Sequence, residues 1–114
     1  MFDESILDSI KKMLGINPDC SDFDTTIINH INSVFMTLNQ LGLGPDKGYR
    51  IKNNSNEWKE YLKETDDLDA VKDYVYLKVK MIFDPPINGT IIESYKENIK
   101  ELEWRLMVKN EEGV

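Results

Sequence analysis

The sequence predicts an all-α fold, a small bundle of four to five helices. Apolar residues recur at intervals of three and four through most of the chain, the period of a helix buried along one side. Glycine and proline fall in the gaps between those runs and punctuate them. One irregular segment, GLGPDKGYRIKNNSN at 42–56, interrupts the pattern between the second and third helices. Its Tyr49-Arg50-Ile51 is readable as a short extended piece or one arm of a small β-hairpin. The 114 residues suggest one domain, 1–114, with a loop at 42–56 and a flexible tail at 110–114. That length supports a core without disulfides or a structural metal.

The first helix is expected over 3–14, where Ile6, Leu7, Ile10, Met13 and Leu14 share a face. Asp3 and Glu4 suit the positive end of its dipole, Lys11 and Lys12 the negative end, and Gly15 stops it. The second is expected over 23–41 on Ile27, Ile28, Ile31, Val34, Phe35, Leu38 and Leu41, capped by Asp22 or Asp24 and ended at Gly42 and Gly44. Ser55 precedes a short third helix, 57–63, carrying Trp58, Tyr61 and Leu62.

The fourth helix, 67–83, is the stretch around which the chain is organised. Thr65 or Asp66 is placed to cap it, and Asp84-Pro85-Pro86 ends it because two prolines remove two donors and force extended backbone. Leu68, Val71, Val75, Val79 and Ile82 form one apolar stripe, and Ala70, Tyr74, Leu77 and Met81 a second on nearly the opposite side. A helix apolar on two faces is either central in its domain or shared with a partner. In a chain this short the second stripe is a first hint of assembly. The last helix, 88–109, has Ile91, Ile92, Tyr95, Ile99, Leu102 and Leu106 on its core face, with Trp104 and Val108 on the other. Glu101 and Arg105 make a favourable i, i+4 pair.

Composition narrows the chemistry. The formal net charge of −7 repels nucleic-acid backbone and argues against ordinary DNA or RNA binding. One cysteine, Cys20, rules out an internal disulfide and a cysteine-based zinc site, and neighbouring Asp19 and Asp22 dull it as a nucleophile. The lone His30 has no local nucleophile or carboxylate to work with and reads as structural. The cluster Asp66, Asp67, Asp69 and Asp73 lacks the pattern of a calcium loop and fits a helix start. No phosphate loop, nucleotide fingerprint or hydrolase elbow is present. The reading is therefore a non-enzyme, with no catalytic residue, metal or cofactor. No run is apolar enough for a membrane span, and the acidic, amphipathic N-terminus is unlike a secretory signal.

The interaction features are stronger. Trp104 and Val108 lie off their helix's core face, and Trp58 sits beside the irregular loop that holds Tyr49. With Tyr74, Leu77 and Met81 of the second stripe they are the candidate interface residues, because Trp and Tyr favour such positions. The competing reading folds these side chains into a compact bundle core.

The phrase VYLKVKMIFDPP at 75–86, with IES at 92–94 and IKELEWRL at 99–106, resembles small proteins of tailed phages and prophages of Gram-positive bacteria. So does NHINSVFM at 29–36 with QLGLGP at 40–45. The likeness, which spans nearly the whole chain, is to head–tail connector (adaptor) proteins of long-tailed phages. It implies an all-helical subunit in a dodecameric ring of the virion neck, between the portal protein and the stopper or tail-completion protein. In that setting DNA passes through the lumen without specific binding during ejection, and the protein is made in the host cytoplasm. An acidic lumen offers few partners to phosphate. The alternative is a small helical regulatory or adaptor module that binds one host or phage protein.

Overall fold

The computed structural model describes residues 5–45, 47–61 and 66–112, with the side chains of 66, 67 and 109–112 left out of the description. These residues form five helices: α1 Ile6–Met13, α2 Asp24–Gln40, α3 Trp58–Tyr61, α4 Asp66–Phe83 and α5 Gly89–Glu112. Among the described residues there is no strand, so the expected all-α bundle of four to five helices is what forms. The predicted roles of Asp3, Glu4, Leu62, Thr65 and the Asp66 and Asp67 side chains lie outside that description, as do 113–114 of the expected tail 110–114, whose first three residues are the end of α5.

Local chemistry sets the helix ends. Ser5 caps α1, its Oγ accepting the Asp8 N–H at 3.2 Å. At the other end of α1 the Gly15 N–H donates to Lys12 O at 3.0 Å and the Ile16 N–H to Lys11 O at 2.8 Å. α2 ends in the same paired pattern, Gly42 N–H to Asn39 O and Leu43 N–H to Leu38 O, both 3.0 Å. This termination needs a left-handed residue after the cap, which Gly42 supplies with φ +91°. Asn88 caps α5, its Oδ1 accepting the Thr90 N–H at 2.8 Å. α4 stops at Phe83, immediately before the Asp84-Pro85-Pro86 signal.

The expected aspartate cap of α2 is corrected. Phe23 occupies the N-cap position without a side-chain hydrogen bond. Asp24 instead meets Lys11 Nζ at 2.8 Å. Lys11, read as a dipole partner at a helix end, is itself only 1% exposed. Its ammonium also donates to Pro18 O at 2.9 Å and Cys20 O at 2.6 Å, so one buried cation gathers the α1–α2 loop.

α4 is the central helix. α1 and α2 pack on it from one side, and α5 packs chiefly on α4 from another. Val71, Tyr74, Val75 and Val79 of α4 are fully buried, with Leu68 and Leu77 nearly so. Two apolar stripes on α4 thus have two sets of neighbours within the same subunit. The core joins them to Ile6, Leu7 and Ile10 of α1 and Ile27, Ile31, Val34, Phe35 and Leu38 of α2. Three residues expected in core stripes are instead exposed: Met13, Ile82 and Ile91. They lie at or near helix ends, where the stripe overruns its partner.

The irregular segment is pinned by an amide in place of a hairpin partner. Asn32 Oδ1 accepts the Ile51 N–H at 2.8 Å and its Nδ2 donates to Ile51 O at 3.1 Å, seating Ile51 in the core. Phe35, Tyr49, Trp58 and Tyr61 cluster over it, with ring centroids 4.6 to 6.3 Å apart in the Phe35 pairs. α3 is held beneath α1 by an antiparallel bridge between Ser5 and Glu57.

Candidate assembly surface

α5 has 24 residues, about 36 Å at 1.5 Å per residue. Such a helix in a small domain is ordinarily covered along its apolar face. Among its described side chains only Leu106 is fully buried, while Ile92, Tyr95, Ile99 and Leu102 are half-buried. Polar links fasten the contact: the Tyr74 hydroxyl donates to Glu103 Oε2 at 2.7 Å, and the Tyr76 and Tyr95 hydroxyls are hydrogen-bonded. Burial raises the Tyr74 pKa, and the Glu103 carboxylate raises it further. Burial also raises the Tyr76 pKa, with Tyr95 adding to it.

Away from α4, α5 presents apolar side chains at two places. Trp104 is 64% exposed and Met107 40%, near its C-terminal end. At its N-terminal end stand Ile91, Ile87 of the turn and Ile82 of α4, all exposed. Ile91 and Trp104 are thirteen positions apart on one helix, about 20 Å along its axis. Phe23 extends the N-terminal group, edge-on to Phe83 with centroids 5.5 Å apart. The half-buried His30 lies beside the same ring at 6.5 Å.

Between α4 and α5 runs a groove of about 320 Å³. Met13, Leu77 and Leu102 give it apolar walls, and Asp73, Glu101 and Arg105 a charged rim. Arg105 pairs with Glu101 at 2.7 Å, the pair expected from their i, i+4 spacing. Burial first, and Asp69 second, raise the Asp73 pKa.

The seven residues expected at an interface divide. Trp104 stands in solvent, and Val108, Met81 and Tyr49 are half-buried. Trp58, Tyr74 and Leu77 are corrected: all three are buried within the subunit. Trp58 lies under α1, its Nε1 donating to Ser9 Oγ at 2.8 Å and the Lys72 ammonium sitting 5.7 Å from its ring. Tyr74 faces α5, and Leu77 forms the floor of the groove. Ile82, Ile87, Ile91 and Met107 are exposed apolar residues that the sequence does not single out. Ile87 follows two prolines, where no helical wheel applies, and the spacing of Ile82 and Ile91 places them in core stripes. Among the described residues no three His, Cys, Asp or Glu side chains converge as metal ligands, and no helix is long and apolar enough to cross a membrane.

A small all-α subunit whose longest helix offers two separated apolar sites to solvent has the build of a component in a larger assembly. The chain belongs to the phage connector protein family, whose model matches residues 6–113. That places it among the head–tail connectors of bacteriophages. No curated protein and no solved structure matches the chain.

Proposed function

We propose that this connector is a structural, non-enzymatic virion protein of the phage neck. Copies of the chain form a ring that joins the portal to the stopper or tail and lets DNA pass, in a phage of a Gram-positive host. The observation that carries this reading is α5, supported along one side and apolar at two places on its free sides. A closed ring needs a heterologous contact, in which two different patches of each subunit meet. The Trp104–Met107 site on α5 and the Ile82–Ile87–Ile91 site around the α4–α5 turn would supply two such patches. The net charge of −7 favours a lumen that does not hold DNA.

Trp104→Glu tests the reading. The side chain is mostly in solvent, so the variant should lose less than about 1 kcal/mol of stability. Complementation of a phage lacking the wild-type protein should then give heads without attached tails. Purified wild-type virions should carry the protein at the neck in cryo-electron microscopy. Its absence from virions would overturn the connector-ring reading and favour a regulatory module. A large loss of monomer stability would instead return Trp104 to the core.

A further inference from the structure

A second groove, of about 670 Å³, lies between α2 and the irregular segment. Asn29, Asn32, Met36 and Asn39 line its α2 side, and Lys47 and Arg50 its loop side. Among the described residues none of the nine that line it is acidic, in a chain with 21 acidic against 14 basic residues. Among the described residues neither Lys47 nor Arg50 forms an ion pair. The one described carboxylate that a lining side chain touches is Glu60, which receives the Tyr49 hydroxyl at 3.1 Å. Glu60 is also held by Asn56 Nδ2 and by the Glu57 N–H, both at 3.2 Å, which together hold its pKa low.

The amides of this groove have a demonstrated use. Asn32 pairs both ways with the main chain of Ile51. The side chains of Asn29 and Asn39 have no hydrogen-bond partner among the described residues, nor do the main-chain groups of Tyr49 and Arg50. Asn29 and Asn39 are ten positions apart on α2, about 15 Å along the axis. An extended chain covers that distance in about five residues. Met36, 65% exposed, supplies an apolar contact between them, nearer Asn39.

We propose that this groove binds an extended, acidic segment of a partner protein. Free amides and loop main chain would pair with its backbone, and Lys47 and Arg50 would meet its carboxylates. A nucleic acid could meet the two cations, but it would face a chain of net charge −7 and bring no peptide backbone to the amides. The proposal stands apart from the ring: the groove is on α2 and the loop, not on α5.

The test is an NMR titration of the isotope-labelled full chain. The probes are an end-capped pentapeptide of alternating glutamate and valine, its glutamine-for-glutamate counterpart, and a thymidine pentanucleotide. The acidic peptide should shift the side-chain amides of Asn29 and Asn39 and the main-chain amides of Tyr49 and Arg50. The glutamine peptide should bind at least about fivefold more weakly, as should the acidic peptide to the exposed-site variant Lys47→Glu/Arg50→Glu. Equal binding of both peptides, shifts confined to other faces, or no binding at millimolar concentration would overturn it. Tighter binding of the oligonucleotide at the same residues would overturn it in favour of a nucleic-acid site.

Discussion

Lys11→Met removes a buried cation while keeping most of the side chain's apolar stem. Three partners lose their donor: Pro18 O, Cys20 O and the Asp24 carboxylate. The Asp24 side chain is 31% exposed and can rehydrate, so its share is about 1 kcal/mol or less. The two carbonyls lose charge-assisted hydrogen bonds, each contributing about 1–2 kcal/mol after exchange with water. Methionine recovers part of this, because it has no charge to desolvate. The net loss should be about 2–3 kcal/mol. For 114 residues the unfolding entropy is about 240 cal/mol/K. That converts the loss to a fall in Tm of about 8–13 °C. Thermal unfolding followed by circular dichroism reads it directly. Asp24→Asn alone should cost much less, and its effect should largely vanish in the Lys11→Met background, since the two side chains share one interaction. A melting shift under about 2 °C for Lys11→Met would refute the claim that this cation organises the α1–α2 loop. So would additive effects of the two substitutions.

Gly44→Ala combines a left-handed φ of +81° with a Cβ only 2.5 Å from Tyr61 Cε1, so it should cost about 2–4 kcal/mol in a denaturant titration. Tyr61→Phe should be neutral or raise stability by up to about 1 kcal/mol, because the buried hydroxyl has no partner among the described residues. Burial raises the pKa values of Tyr49 and Tyr61 from 10.0 to about 12, with Glu60 adding to the Tyr49 shift, and Tyr74 is raised further. The unfolded chain therefore releases these protons first, and stability should fall as pH rises from about 10 towards 12, by at most about 1.4 kcal/mol per pH unit for each tyrosine. Unfolding curves unchanged between pH 9 and 11.5 would contradict this. Replacing Pro85 and Pro86 by alanine should let α4 run past Phe83, raising helix content and misplacing α5; unchanged circular dichroism with unchanged tail attachment would count against the stop.

Much of the helical layout is legible in the sequence because its signals are local. Apolar period, the glycines after Leu14 and Leu41, and Asp84-Pro85-Pro86 act within a few residues of where they stand. What escapes is set by neighbours far along the chain. Lys11 is an ordinary helix-end lysine until the loop carbonyls of Pro18 and Cys20 close over it. Asn32 is one polar residue on α2 until Ile51, nineteen positions away, takes both ends of its amide. The second stripe of α4 shows the same limit at the assembly surface. Its wheel position says that Tyr74 and Leu77 leave the first stripe's face, but not that α5 returns to cover them. The exposure of Trp104 is legible because α5 has little besides α4 to cover it.

That arrangement bears on how a ring contact could be built. A stable interface removes about 800 Å² from each partner. A helix about 36 Å long with a contact face about 10 Å wide offers roughly half of that. α5 alone is therefore too small to hold a neighbour. The shortfall is met only if the contact also takes in residues beyond the helix, where Ile82, Ile87, Phe23 and Met13 are among the exposed apolar side chains. In the proposed ring the Ile82–Ile87–Ile91 patch would serve one neighbour and Trp104 the other, so each contact draws on one end of α5. The central helix of that ring's subunit would contribute to assembly indirectly. Its second stripe is filled by α5, and that packing would set the angle at which α5 holds Trp104 towards the next subunit.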